Sequence, residues 1–551
     1  MNKRLVRAAL GASLAGGLGV PAALGSTAAH AASWAATATQ AEPTTGLTDL
    51  GPLAGSTPVS LTVALKLRDT PALQQDIASG TVLTPDQFDS QFAPTAADAA
   101  QVVSYLQQQG FGQVSVSANN VLVTADGTAG QAQTAFNTAL HSFSLGGRSV
   151  FANVTPVQVP ASLGGIVGSV LGLNDLATMT TPYRSATNPP VSCVLPGVGY
   201  PCTYNPQGFW KAYDATGTTT GKATPIAIFA EGDLTQVIKD LRQEEAANGL
   251  PQVPVSVVPT GPASPDTSGA DEWDLDTQYS TGMAGTVSHL YVYDATSLTD
   301  SDIAREFNAF VTADQARAGS ASFGECEYQA YLDGSMLADD EAFAQAAVQG
   351  QTVFASAGDT GGFCPVAPNN GVPAGVPDVN YPASSPYVVS VGGTTLVTNS
   401  DGSYNQEVAW LAGGGGVSLF ESSPSWQAGD GSSYSNLTTA CMVQGCGRTV
   451  PDVANDADPN SGANVYIAGT PTAVGGTSLA SPLTLGEWAR MQTASGNKLG
   501  FASPRLYKAL GSPAFHDITL GDTGPYPATP GYDLATGIGT FDVAGAIKTI
   551  G

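Results

Sequence analysis

The stretch VGGTSLASPL, Val474 to Leu483, places the hydroxyl of Ser478 between a glycine pair and a proline, where a helix can begin. A serine there gains from the helix dipole, and neighbouring amides can face a developing oxyanion. The same position also suits Thr477 or Ser478 as a simple helix cap. A serine nucleophile needs a proton acceptor, most often His. His30 falls in the leader-like N-terminus, His141 in the first folded unit, His289 within the strand-like SHLYVY and His516 in a C-terminal loop, so none is placed as the partner of Ser478. Carboxylates remain. In SGADEWDLDTQYS, Glu272 and Asp276 are four apart, which puts both on one helical face, where like charges couple and can hold one shared proton. Spacing alone leaves Asp271 and Asp274 open, and a solvated acidic face is the plainer reading of the run. Asp359 closes VFASAGDTGG at a strand end, followed by glycines that let backbone approach a ligand. As a turn residue it needs no further role.

The elements that must position these groups fall into two units. From Val59 to about Ala177, strand-like runs mix with helices. Thr84-Pro85 is a cap followed by proline at the first helical position, and Thr95 with Asp98 three residues on is a capping-box pattern. Val102, Val103 and Leu106 line one face of the helix that follows. This α+β unit carries no phosphate loop and no cluster of catalytic residue types, which suits a chaperone-like or inhibitory module. Met179 to Cys202, rich in Pro, Ser, Thr and Gly, reads as a linker, where proteolysis concentrates. Beyond it, the apolar runs PIAIFAEG, HLYVYDAT, SASFGE, TVFASAGD and YVVSVGG alternate with helical stretches. That alternation predicts an α/β fold, a mostly parallel sheet with helices on both faces and chemistry at the carboxyl ends of its strands.

Composition bounds the partners. The 551 residues include 45 acidic and 19 basic ones, so the chain lacks the positive surface that nucleic acid or an anionic membrane requires. Few lysines and arginines also suit a protein that stays folded in acid. The first 31 residues have a basic start at Lys3, Arg4 and Arg7, an interrupted apolar middle and the small-x-small end Ala29-His30-Ala31. They read as a secretory signal, so the product is expected outside the cell, soluble and unanchored. In that setting six cysteines are expected to form three disulfides: Cys193/Cys202, Cys441/Cys446 and, by remainder, Cys326/Cys364.

Several stretches together resemble the sedolisin family of serine-carboxyl peptidases: the Glu-x-x-x-Asp of Glu272/Asp276, SAGDTGG with Asp359, RTVPDVANDADPNSG, and GGTSLASP with Ser478. The N-terminal unit is also similar to that family's pro-kumamolisin-type activation propeptide, and HDITLGDTG with GYDLATGIG to its calcium loop. The resemblance implies a subtilisin-like α/β peptidase preceded by an α+β propeptide domain: signal 1–31, propeptide 32–178 with its core at about 57–178, linker and processing site 179–195, and catalytic domain 196–551. It implies that Ser478 attacks the scissile carbonyl, Glu272 accepts its proton, Asp276 orients and shares that proton, and Asp359 donates to the oxyanion. It implies one structural Ca2+ held by the side chains of Asp517 and Asp533 and the carbonyls of Ile518, Thr529 and Gly531, a donor set suited to a hard cation. Protein or peptide substrates, the chain's own propeptide as inhibitor, and a monomer are the implied partners and state. Gly413 to Gly416 and SASFGE resemble segments lining the cleft through backbone; flexible surface loop is the alternative reading of them. A His-dependent serine hydrolase fails on histidine placement, and GGTSLASP is not a Gly-x-Ser-x-Gly elbow. An inactive binding protein on a peptidase scaffold is the remaining rival.

Overall fold

A computed structural model describes residues 33–176, 178–181, 183–185, 203–364, 376–427 and 447–551. The signal-like stretch and the pairs Cys193/Cys202 and Cys441/Cys446 lie outside these residues. Cys326 and Cys364 are disulfide-bonded, with Cα atoms 5.7 Å apart. None of the described helices is long and apolar enough to cross a membrane.

In the N-terminal unit, local chemistry sets the helix starts. Thr84 and Thr95 both cap with reciprocal bonds, to Gln87 and Asp98 respectively, and Pro85 opens the helix Pro85–Gln91. Four antiparallel strands form its sheet in the order Gly112–Val116, Leu122–Thr128, Pro58–Leu65, Val167–Leu171. Val102 and Leu106 are buried against it in one apolar cluster. The unit docks on the rest of the chain. Leu73, Ile77, Phe88 and Phe92 pack against Ala344, Ala347 and Val348 of the helix Ser335–Val348. Asn119 Nδ2 donates to Asn308 Oδ1 at 2.7 Å and to Gln345 Oε1 at 2.8 Å, and Leu67 N to Glu341 Oε1 at 3.1 Å.

Past the linker the expected mostly parallel sheet is present, in the strand order Val255–Pro259, His289–Ala295, Pro225–Glu231, Ala318–Ala321, Thr352–Ser356, Val388–Thr398, Tyr404–Ala409. Only the last pairing is antiparallel; Val453–Asp456 adds in parallel to Val388–Thr398. The central strands Pro225–Glu231, Ala318–Ala321, Thr352–Ser356 and Val388–Thr398 are buried almost throughout, without alternation, because both faces of the sheet are covered there. Phe229 on the central strand meets Phe307 and Phe310 edge-on at 4.9 and 5.2 Å, which seats the helix Asp300–Ala313 on the sheet. The helices Ala270–Ala284 and Thr477–Ala494 pack directly on each other.

Gly413 to Gly416 do not form a surface loop. All four are buried, and a side chain at Gly414 would overlap the carbonyl of Ala357, next to the strand end that carries Asp359. Glycine is needed there because two backbones meet.

Candidate active site

Glu272 and Asp276 lie one turn apart near the N-terminus of the helix Ala270–Ala284, which is buried from residue 272 to its end. The run is therefore not a solvated face. Ser478 is the second residue of the helix Thr477–Ala494, and Gly476 is its N-cap, with no side-chain cap bond. Ser478 and Thr477 are thus free of the capping role that their types suggest. Glycine brings the two helices together: a Cβ on Gly486 would stand 2.6 Å from Ser280 O and 2.7 Å from Met283 Cβ.

The groups at this junction are hidden from solvent. Glu272 is 1% exposed, Asp276 and Ser478 0% and Asp359 3%. Burial first, and then the charge of Asp276, push the Glu272 carboxyl well above the usual range; the Ser478 hydroxyl and the Tyr183 backbone draw it back, while Asp359 adds to the rise. Glu272 therefore sits among Asp276, Ser478 and Asp359. No hydrogen bond joins it to Ser478, since Ser478 Oγ and both Glu272 oxygens have no partner at bonding distance. Such contacts tighten when substrate enters.

Asp276 is also raised by burial, with Ser322 lowering it. Ser322 Oγ stands 2.6 Å from Asp276 Oδ1 and 3.2 Å from Ser478 O. One hydroxyl proton serves one acceptor at a time. When Asp276 carries the proton, it can donate to Ser322 Oγ, which then donates to the Ser478 carbonyl. That carbonyl is open to Ser322 because its i+4 neighbour is Pro482, which has no N–H to offer.

Asp359 follows the strand Thr352–Ser356, and its two oxygens differ. Oδ1 accepts from Thr477 N and Thr477 Oγ1, both at 2.8 Å. Oδ2 has no hydrogen-bond partner; Arg184 Nε stands 3.9 Å from it. Burial lifts the carboxyl to about 7 against the lowering effect of Thr477 and Arg184. With two donors on Oδ1, a proton belongs on Oδ2, which makes that oxygen a donor.

The described residues of the linker, 179–181 and 183–185, lie along this site. Thr180 bridges Gly324 with N–H···O bonds of 2.9 and 3.0 Å in both directions, and Arg184 and Ser185 pair antiparallel with Gly475 and Val474, just ahead of Ser478. Arg184 Nη2 donates to Asp359 O at 2.6 Å, and Tyr183 OH to Asp271 Oδ2 at 2.9 Å. A cavity of about 150 Å³ lies between Thr180, Arg184, Gly324 and Asp359. Asp271 is thus engaged by Tyr183. Asp274, lifted to about 8 by burial and then by Asp240, looks toward another helix.

The histidines stand apart from Ser478 among the described residues: His141 pairs with Asp49, His289 bonds Ser256, and His516 stacks on Tyr404. Of the C-terminal residues, Asp517 accepts from Gly531 N at 3.0 Å and Asp533 from Thr529 N at 2.7 Å, so both carboxylates fold onto residues 529–533 beside buried Ile518. RTVPDVANDADPNSG is a brace: Arg448 and Asp452 form a fully buried bidentate pair, and Asp452 also accepts from Ser390 N. Sequence reading passed over Ser322, Thr477, Tyr183 and Arg184 as partners of these groups. Ser322 lies in SASFGE and Thr477 in GGTSLASP, yet neither string shows which distant carboxylate each hydroxyl meets.

Residues 45–176 match the family described as Pro-kumamolisin, activation domain. Sedolisin from Pseudomonas sp. (strain 101) is 38% identical over 571 residues, covering 95% of this chain and 94% of that protein. Kumamolisin from Bacillus sp. (strain MN-32) is 30% identical over 89% of this chain and 91% of its own. The solved structure of Pseudomonas sedolisin, a serine-carboxyl proteinase complexed with pseudo-iodotyrostatin, aligns with a TM-score of 0.59 and 37% identity over 64% of this chain and 98% of that one. With likeness of that degree running along nearly the whole chain, the protein belongs to the sedolisin family and is a serine-carboxyl peptidase.

Proposed function

We propose that the chain is an exported zymogen of an acid-active endopeptidase in which Ser478 is the nucleophile, Glu272 its base, Asp276 the partner that shares the proton, and Asp359 the oxyanion donor. The observation that carries this reading is the convergence of Ser478, the Glu272/Asp276 pair and the unpartnered Oδ2 of Asp359 beside a strand-paired stretch of the chain itself. Ser478 Oγ bonds to the scissile carbonyl carbon as its proton passes to Glu272, the carbonyl oxygen takes up negative charge, and the proton on Asp359 Oδ2 bonds to it. Glu272 returns the proton to the leaving amine as the C–N bond breaks. Water then repeats the sequence on the acyl-enzyme. Burial and the mutual repulsion of Glu272 and Asp276 disfavour a doubly charged pair, so the two hold one shared proton and leave one carboxylate to take the proton of Ser478.

A peptide laid between Gly324 and Gly475 gains main-chain bonds on both sides, a mode that recognises backbone. Thr180, Arg184 and Ser185 lie in that manner, which supports reading the linker as both plug and processing segment, within residues 179–195, after the signal has been cut at about Ala31. In the C-terminal loop the all-oxygen donor set of Asp517, Asp533 and the carbonyls of Ile518, Thr529 and Gly531 suits calcium, and both carboxylates accept from backbone N–H groups of the segment that carries two of those carbonyls. When bound there, the ion cross-links the two segments.

The test is purified full-length Ser478→Ala, assayed on denatured protein in acid alongside wild type. It is expected to release no peptides and to stay full length. Hydrolysis at the wild-type rate would remove Ser478 from its role.

A further inference from the structure

Away from the catalytic groups, buried carboxyl groups concentrate where the N-terminal unit meets the peptidase unit. Asp300 at the start of its helix, Glu325 in the short strand Glu325–Cys326, and Asp333 at the end of the helix Glu327–Asp333 bring one carboxylate oxygen each to within 4.8 Å of the others. They are 5%, 9% and 2% exposed. Asp300 Oδ1, Glu325 Oε2 and Asp333 Oδ2 are buried without a hydrogen-bond partner. Two more carboxyls face them. Asp339 is fully buried with neither oxygen partnered, and its charge acts on Asp300 and Glu325. Glu42, from the N-terminal segment, acts on Asp300, Glu325 and Asp333. Gln329 Nε2 donates to Glu42 Oε2 at 2.5 Å and Asn174 Nδ2 to its Oε1 at 3.2 Å, which hold it in place. Among the described residues, no ion pair involves any of these five carboxyls. A cavity of about 530 Å³, bounded by Asp300 and Asp333 on one side and by Thr39 and Asn174 on the other, gives access.

Buried carboxyl groups without a basic partner are costly unless they bind protons or coordinate a cation. Here three carboxylates converge, and each of them also has one buried oxygen without a hydrogen-bond partner. Cys326, the adjacent sulfur, is held in a disulfide and offers no thiolate. Hard oxygen donors of irregular number suit calcium, which accepts six to eight such ligands, better than magnesium, which demands a near-octahedral and hydrated shell. We propose that Asp300, Glu325 and Asp333 bind a calcium ion next to Glu42 of the N-terminal segment, whose negative charge the ion also attracts, so that it fastens the N-terminal unit to the peptidase unit. This ion is distinct from one held by the C-terminal loop. Glu42, which precedes the matched activation domain, is bonded to Gln329 on the helix that ends at Asp333, so an ion in this cluster strengthens docking across the junction that processing must later open.

The test counts ions. Full-length protein carrying Ser478→Ala together with Asp517→Ala and Asp533→Ala is stripped of metal and titrated at neutral pH with calcium by calorimetry and with terbium by sensitised emission. One ion per chain is expected. Glu42→Gln should weaken binding at least tenfold, and the near-isosteric pair Asp300→Asn, Asp333→Asn should abolish it. No saturable binding in millimolar calcium would overturn the proposal and leave the cluster as a store of protons. So would binding unchanged by Asp300→Asn, Asp333→Asn. If the loop variant does not fold, the count is made on Ser478→Ala alone. There two ions should fall to one with Asp300→Asn, Asp333→Asn; an unchanged count overturns the site.

Discussion

At the scale of single residues, the asymmetry of Asp359 gives the clearest prediction. Its Oδ1 is occupied by two donors from Thr477, while its Oδ2 is buried and without a hydrogen bond. Burial holds the carboxyl at about 7, so it is protonated below that pH and loses its proton above it. Activity is therefore expected to fall as pH rises through about 7. Asp359→Asn can keep both Thr477 bonds on its amide oxygen and present N–H at every pH. It should cost about tenfold to a thousandfold in rate through poorer geometry, as lost oxyanion donors do, while its alkaline limb flattens. A pH–rate profile, corrected with a Ser478→Ala blank, checks this. An Asp359→Asn profile that declines as steeply as wild type would assign the limb to another group. Arg184 lowers the same carboxyl, so the limb of processed enzyme without Arg184 should lie at higher pH than that of any activity retained by the intact chain.

At the scale of elements, two helices carry Ser478 and Glu272, the proposed nucleophile and base, and Gly486 lies where they pack together. Helix propensity alone favours alanine over glycine by about 1 kcal/mol. At this position the added methyl would meet Ser280 O at 2.6 Å and Met283 Cβ at 2.7 Å, atoms that can move only with the facing helix. Overpacking of that kind costs about 1–3 kcal/mol. Gly486→Ala is therefore expected to lower Tm and to reduce kcat by more than KM changes, because Glu272 moves relative to Ser478 while the strands that bind peptide stay in place. Thermal unfolding and steady-state kinetics decide it, and a stabilised, fully active variant would show that the helices do not set the catalytic distance.

For the whole molecule, the buried carboxyls dictate the pH at which the fold is most stable. Burial raises Glu231 to about 7 and Glu244, Asp274 and Glu327 to about 8. In the unfolded chain these groups titrate near 4. Between those values the native state keeps protons that the unfolded state has lost, so the stability they contribute is complete below about pH 4 and disappears as pH rises through 7 to 8. Groups held below their usual range, such as Asp233 and Asp401, are fully exposed and contribute little in the opposite direction. The Tm of Ser478→Ala should accordingly be higher at about pH 5 than at about pH 8. A Tm that climbs steadily to neutrality would contradict it. Calcium should act on stability as well, since a ligand that binds only the folded state stabilises by mass action. Asp517→Ala with Asp533→Ala is expected to lower Tm in saturating calcium without changing the pH–rate profile. Unchanged melting would remove the ion from this loop.

Short-range chemistry was legible in the chain. Thr84 and Thr95 cap helices because their partners lie three residues away, and the alternation of apolar and helical stretches specifies a parallel sheet through local periodicity and the handedness of its crossovers. The motifs around Glu272, Asp359 and Ser478 could be singled out by residue type and resemblance. What the chain could not show by itself was which groups meet. Thr477 reaches Asp359 across 118 residues, Ser322 reaches Asp276 across 46, and Glu42 reaches Gln329 across 287. Such pairings depend on strand register and on how closely helices approach, and these are settled by the packing of the entire core. For the same reason Gly413 to Gly416, whose composition suggests a loose loop, proved to be buried where two backbones touch. Of the linker, Thr180 pairs with Gly324, and Arg184 and Ser185 pair with Gly475 and Val474 just ahead of Ser478, contacts that only the tertiary fold brings together.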